Sequence, residues 1–284
     1  MQLPEGMQRY AAAVEYNGAD FRGFQIQASA PNTVQAALQD ALSSIANEPV
    51  VVSCAGRTDA GVHATQQIIH FDTLASRPDK AWIAGTNTQL PDAVRVRWVQ
   101  PVDGSFHARF SARARRYRYL LYCDEVRQAL LARQLTWCKY SLDIGAMQAG
   151  ADFLLGEQDF TSFRATQCQA KSPLRNMQSL SVWRQGQLIV LDLQANAFLH
   201  HMVRNIVGVL IEVGRGRQPP TWVNEVLQAR DRKAAAATAP PHGLYFVGVD
   251  YPTEYELPQL PPGPLFLVGA ASDKPQAASK QEIS

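Results

Sequence analysis

The sequence predicts an α+β fold of two similar βαββαβ halves, with antiparallel sheets and a cleft between the halves. Three observations carry this reading. Short segments alternate apolar and polar residues with period two, as half-buried strands do. Between them lie segments with helical spacing of apolar residues behind capping residues. The order strand, helix, strand, strand, helix, strand that closes near residue 102 then starts again near residue 113.

In chain order, residues 8–16 alternate and are rich in Ala, Val and Tyr, which predicts the first strand. Thr33 is a candidate N-cap for a helix whose Val34, Ala37, Leu38, Ala41, Leu42 and Ile45 share one face. Strands follow at about 50–54 and 66–72, a helix at 79–89 behind Pro78, and an alternating strand at 94–102. The second round runs through a strand at 113–122, a helix at 142–155, strands at 177–184 and 187–195, and a helix at 199–213. A short extra helix at 221–229 and a strand at 244–250 complete it. This is the ferredoxin-like order, which puts helices on one face of each antiparallel sheet and leaves the other free. The expected units are residues 1–110, 111–250 and a tail, 251–284, whose Pro, Gly, Ser and Ala offer too little apolar surface to hold an ordered structure.

With 46% hydrophobic residues the 284-residue chain can bury a core without covalent staples. Cys54, Cys123, Cys138 and Cys168 have neither CxxC nor zinc-knuckle spacing, which argues against a disulfide or metal framework and for a reducing, cytoplasmic setting. No apolar run is long enough to cross a membrane and the first residues lack a secretory pattern. The net charge of +2 is modest, but Arg outnumbers Lys 21 to 6, and guanidinium is the better bidentate phosphate ligand. The densest cluster, HARFSARARRYRY, interleaves Arg109, Arg113, Arg115, Arg116 and Arg118 with Phe110, Tyr117 and Tyr119. RNA binding uses the same pairing of cations for phosphates and rings for bases; a solvated strand edge has the same composition.

Three places can bear chemistry. In GRTDAG, Gly56 and Gly61 free the backbone to present Asp59 from a loop, although Asp is also a common turn former. Arg204 lies beside the apolar face formed by Met202, Val203, Ile206, Leu210 and Val213. There it either meets a carboxylate or snorkels to water. His200 and His201 are adjacent rather than four apart, which argues against a helical metal site. Tyr117 and Tyr119 share one face of a strand and Arg116 and Arg118 the other, so one face can line a cleft while the other meets phosphates or simply packs.

Together YNGADFRGFQIQ, TVQAAL, GRTDAGVHA, ARRYRYLL, DFTSFRA, NAFLHHMVRNIVG and PPHGLYF, in this order over residues 10–250, resemble the motif set of the bacterial-type tRNA pseudouridine synthase A family. Phe24 stands where that family commonly has Trp, and the tail lies outside the pattern. The resemblance implies an isomerase that converts uridine to pseudouridine at tRNA positions 38 to 40 of the anticodon arm. It further implies a homodimer that needs neither metal nor organic cofactor. It makes Asp59 the catalytic carboxylate and Arg204 its partner, sets Tyr117 over the flipped uracil, and gives Arg57 the task of displacing the base. Arg113 and Arg116 are expected to bind the RNA backbone. Attack of Asp59 on C1′, attack on C6 and a glycal-like intermediate all remain open as routes. Of the rival readings, a noncatalytic RNA-binding module explains the Arg and Tyr cluster but gives Asp59 and Arg204 no role. An aspartic-protease dyad lacks its second carboxylate, and a zinc base deaminase lacks its PCxxC.

Overall fold

A computed structural model describes residues 3–28 and 31–267. Its strands and helices in chain order are β1 (Gln8–Tyr16), α1 (Val34–Ala46), β2 (Ser53–Cys54), β3 (His63–Thr73), α2 (Thr86–Gln89), β4 (Val94–Val102), β5 (Ala114–Cys123) and β6 (Thr136–Cys138). They continue with α3 (Ile144–Ala151), β7 (Gly156–Asp159), β8 (Leu174–Gln185), β9 (Leu188–Ala195), α4 (Met202–Gly214), α5 (Trp222–Ala229) and β10 (Leu244–Asp250).

Local chemistry explains where these elements begin and stop. The Thr33 side chain accepts from Ala36 N–H and starts α1; Asp143 does the same for α3 through Ala146 N–H. The strand expected at 50–54 shrinks to two residues because its backbone donors go elsewhere. Val50 N–H donates to Ser43 Oγ and Val52 N–H to Gln39 Oε1, both on α1. The helix expected at 79–89 starts at 79 and carries an internal π-helical turn, Ala81–Gly85, in which Gly85 lets Ile45 of α1 approach. α4 starts at Met202 rather than 199, because His201 adopts a left-handed backbone with φ 62°.

The strands form one sheet in the order β4-β1-β3-β10-β5-β9-β8-β7, with β2 added to β3 and β6 to β5. This replaces the expected pair of separate sheets. The last strand, β10, lies between the two groups, antiparallel to β5 and parallel to β3 through the pairs Tyr245↔His63 and Phe246↔Ala64. A central strand satisfies its backbone on both sides, so the two strand groups are fused rather than merely apposed.

One face of this sheet packs Tyr119, Leu121, Leu191, Leu193 and Phe246 into a core shared with α4. Alternate residues Leu120, Val190, Tyr245 and Val247 form a smaller cluster on the other face together with Leu267. On that outer face Asp192, 4% exposed, accepts from Arg116 (2.6 and 2.7 Å) and from Arg118 (2.9 Å). Arg118 also donates to the carbonyls of Pro262 and Gly263. The first part of the expected tail is therefore ordered: Tyr251 and Tyr255 pack on Phe106, and Leu267 is buried. Borrowed partners supply what its own composition lacks. Residues 268–284 lie outside the described chain. No helix among the described residues is long and apolar enough to cross a membrane.

Asp192→Asn leaves two neighbouring guanidinium groups without their shared counter-charge. Because Arg116 is partly exposed, the cost should fall at the lower end for a broken buried pair, about 3 kcal/mol. Urea unfolding of the variant should show this drop with an unchanged denaturant slope; a loss within 0.5 kcal/mol, roughly the range of an ordinary surface change, would rule the triad out as a structural element.

Candidate active site

The loop between β2 and β3 is held before any ligand arrives. Gln67 grips Gly56 from both sides, accepting from its N–H at 3.2 Å and donating to its carbonyl at 2.6 Å. Thr58 is fixed by the Tyr16 hydroxyl at 2.7 Å and, through its carbonyl, by Phe24 N–H at 3.0 Å. The chain passes so close at this point that a Cβ on Gly23 (φ +96°) would stand 2.7 Å from the Thr58 carbonyl oxygen. Arg115 donates to the Ala55 carbonyl at 3.2 Å and also reaches the carbonyls of Ala112 and Asn196. It has no carboxylate partner among the described residues.

Asp59 leaves this loop half-buried and meets three cationic or potentially cationic side chains. Arg204 Nη1 lies 3.1 Å from Oδ2, His201 Nε2 3.3 Å from Oδ2, and His200 Nε2 3.2 Å from Oδ1. Arg204, in the first turn of α4, is aimed by its other contact, Nε donating to the Ala239 carbonyl at 2.8 Å. That carbonyl is within reach because α4 carries Gly208, where a Cβ would stand 2.1 Å from Ala237 O. The 237–239 segment is also braced by buried Asn205, which accepts from Thr238 and Arg232 and donates to the Phe163 carbonyl. The alternative of a snorkelling Arg204 is therefore not what the chain adopts.

The histidines escaped a sequence argument that treated residues 199–213 as continuous helix, on which neighbours diverge by about 100°. The left-handed turn at His201 breaks that geometry and brings both rings to one carboxylate. Asp59, His200 and His201 thus offer ligand atoms within 4.8 Å of one another, enough for a divalent ion. Arg204 at 3.1 Å from the same carboxylate opposes a second cation there by charge repulsion.

Tyr117, on β5, is 8% exposed and sits edge-on between Phe198 (4.9 Å) and Phe246 (5.0 Å). Burial, with Asp59 adding to it, pushes its phenol far above the ordinary tyrosine range, so it stays neutral. Gly56 makes the close fit possible, since a Cβ there would be 2.9 Å from Phe246 and 3.6 Å from the Tyr117 hydroxyl.

These groups open onto a cleft of about 1440 Å³ lined from both halves of the chain. Arg22, Arg57, Arg109, Arg115, Arg175 and Arg204 line it, and Asp59 is the one carboxylate among the described lining residues. Of the expected site residues, Asp59, Arg57, Tyr117 and Arg204 therefore come together. Arg113 is exposed away from the lining, and Arg116 is engaged by Asp192 on the opposite face of the sheet. The alternation on β5 that puts Tyr117 in the cleft is what removes Arg116 from it. Arg109 of the sequence cluster carries charge into the cleft instead, together with Arg22 and Arg175, which the sequence did not single out. The exposed Phe110 ring lies beside Arg109 at the rim. Within HARF, Arg109 was legible as a member of the cluster but not by its direction.

The profile of the family described as tRNA pseudouridine synthase matches residues 12–111 and 151–252. The chain is 55% identical over 260 residues to tRNA pseudouridine synthase A of Shewanella sp. (strain W3-18-1), covering 92% of this chain and 99% of that protein. It is 54% identical over 264 residues to tRNA pseudouridine synthase A of Pseudomonas aeruginosa, with 93% of each covered. The protein of the same description from Alcanivorax borkumensis is 54% identical over 261 residues, covering 92% of this chain and 98% of that one.

Burial of the His201 ring lowers its pKa from the usual 6.5, while the Asp59 carboxylate works in the opposite direction. Asp59→Asn removes the group that favours the imidazolium, so His201 should titrate at a lower pH than in the wild type. Following the imidazole Cε1–H resonance against pH measures this; a midpoint that does not fall would mean the two groups are not in contact in solution.

Proposed function

The chain belongs to the tRNA pseudouridine synthase family, and on that footing we propose that it isomerises uridine to pseudouridine in the anticodon arm of tRNA, at tRNA positions 38 to 40. The observation that carries the proposal is the lone carboxylate of the cleft, Asp59, held by Arg204 at 3.1 Å amid arginines that have no acid to pair with there. The arginines suit a polyanion, and the carboxylate suits a reaction that needs one nucleophile. A noncatalytic RNA-binding module has no use for that carboxylate, which would repel the backbone it binds.

The reaction breaks the N1–C1′ bond of uridine, turns the ring, and joins C5 to C1′; a proton leaves C5 and N1 gains one, with no net redox change. A stacked base cannot be reached, so the nucleotide is extruded into the cleft. Arg57, exposed at the mouth beside Asp59, takes the vacated space. Tyr117 and Phe198, with buried Phe246 packed behind Tyr117, form the apolar wall against which the freed ring rests. Asp59 acts on the sugar or on the ring, and in either case Arg204 fixes which oxygen it presents. The C5 proton is acidic once the new carbon–carbon bond has formed, so a weak acceptor suffices. The neutral phenol oxygen of Tyr117 can pass it to water. The family resemblance further suggests a cytoplasmic homodimer in which each half of the chain is a ferredoxin-like unit.

Asp59→Asn should bind unmodified tRNA within about three-fold of wild type, a change below 1 kcal/mol, and form no pseudouridine in single turnover. Full turnover would sink the assignment. Arg204→Lys keeps the charge but not the planar fork, so rates should fall in the order wild type, Lys, Met; a Met variant at the wild-type rate would make Arg204 a bystander.

Phosphate contacts release counterions, so affinity should fall steeply with salt. Arg109→Gln together with Arg175→Gln should flatten the slope of log affinity against log salt by about 2, whereas Arg116→Gln should leave it unchanged. Filter binding across a salt series distinguishes them. A reversed pattern would move the RNA to the outer face.

A further inference from the structure

His63 opens β3 four residues after Asp59, and its ring is 1% exposed. It touches three separate stretches of backbone. Nδ1 accepts from Gly18 N–H at 3.1 Å, so the ring proton belongs on Nε2, which faces the carbonyls of Arg133 at 3.0 Å and His242 at 3.1 Å. Burial keeps the imidazole neutral down to about pH 4, which preserves this tautomer. The ring also stacks on Tyr245, with centroids 4.8 Å apart.

Its position gives these contacts a purpose. His63 pairs with Tyr245 in the two-pair parallel register that joins β3 to β10. The reactive groups are split across that junction. Asp59 comes from the strand-to-strand loop before it, while Ala239, whose carbonyl aims Arg204, lies three residues before His242. A small rotation at the junction changes the separation of Asp59 and Arg204 directly.

We infer that His63 is a positioning residue, a neutral pin across the β3–β10 junction that sets the Asp59–Arg204 geometry without touching the substrate. The inference rests on the functional reading above for its kinetic arm and is independent of it for its structural arm.

His63→Phe keeps the ring volume and the stack on Tyr245 while deleting all three polar contacts. His63→Asn can still accept from Gly18 N–H but is too short to reach Arg133 O and His242 O. With tRNA saturating, the single-turnover rate should fall about 100-fold in the Phe variant and about ten-fold in the Asn variant, losses of about 2.7 and 1.4 kcal/mol in barrier terms. The dissociation constant for tRNA should stay within three-fold of wild type in both. A crystal structure of the Asn variant should show the Asp59–Arg204 pair opened beyond hydrogen-bonding distance. If the Phe variant fails to fold in a thermal melt, the Asn variant decides. A folded Asn variant with a wild-type rate, an equal loss of rate and affinity, or an Asp59–Arg204 pair unchanged in the crystal each overturns the inference. Should the wild type itself form no pseudouridine, the functional reading fails and the crystal structure alone judges the pin.

Discussion

The parallel junction between β3 and β10 is the constraint on which the rest depends. Two register pairs, His63 with Tyr245 and Ala64 with Phe246, connect the strand groups. Both residues of the second pair are buried, as are the partners of the first. Fusing two sheets this way puts the Asp59 loop of one group over the first turn of α4 of the other, which no single group could do. Each group supplies half of a charge pair, and among the described residues neither half has a charged partner at home: the Asp59 carboxylate meets His200, His201 and Arg204 at the start of α4, and the Arg204 guanidinium meets Asp59 and the Ala239 carbonyl. The chemistry is located by topology as much as by residue type.

The two faces of β5 show how one strand serves two electrostatic ends. Arg116 and Arg118 point outward and converge on Asp192, which sets one negative charge between the two, and Arg118 is further tied to the carbonyls of residues 262 and 263. Arg115 and Tyr117 turn to the cleft side. Arg115 is satisfied by backbone carbonyls alone, and burial pulls its pKa below the ordinary arginine value. Carbonyl partners satisfy the donors of a guanidinium but leave its charge uncancelled. A cleft braced in this way therefore keeps a positive potential that an acid partner would have removed.

Much of this was legible in the sequence. Period-two and helical spacings locate the long elements, and the Thr33 cap begins α1 as read. Asp59, Tyr117 and Arg204 stand out because each is a costly residue in a place that needs a reason. The rest was hidden for physical causes. Spacing does not say which strands pair, so one sheet looked like two. Alternation assigns Arg116 to a face but not to Asp192, a residue 76 positions away. The His200 and His201 rings depend on a left-handed backbone that residue type does not announce. The chain from 251 to 267 is ordered by contacts with Phe106, Arg118 and the outer sheet, none of which its own composition displays.

The strand at the centre of the sheet is the last to be made. β10 begins at residue 244, yet it lies against β3, which begins at residue 63, and β5, which begins at residue 114. A chain emerging from the ribosome at roughly 5–20 residues per second has β3 available for many seconds before its neighbour exists. Until then the β3 edge offers unpaired donors and acceptors flanked by buried-type residues, the situation that recruits foreign strands. Closure must wait for contacts that are distant in sequence, so folding pays the entropy of large loops before it gains the central ladder. The short β2, lying on part of the same edge through Ser53↔His70 and Cys54↔Ile69, covers some of it in the interval. An assembly line that fits its keystone last has to keep the gap guarded while it runs.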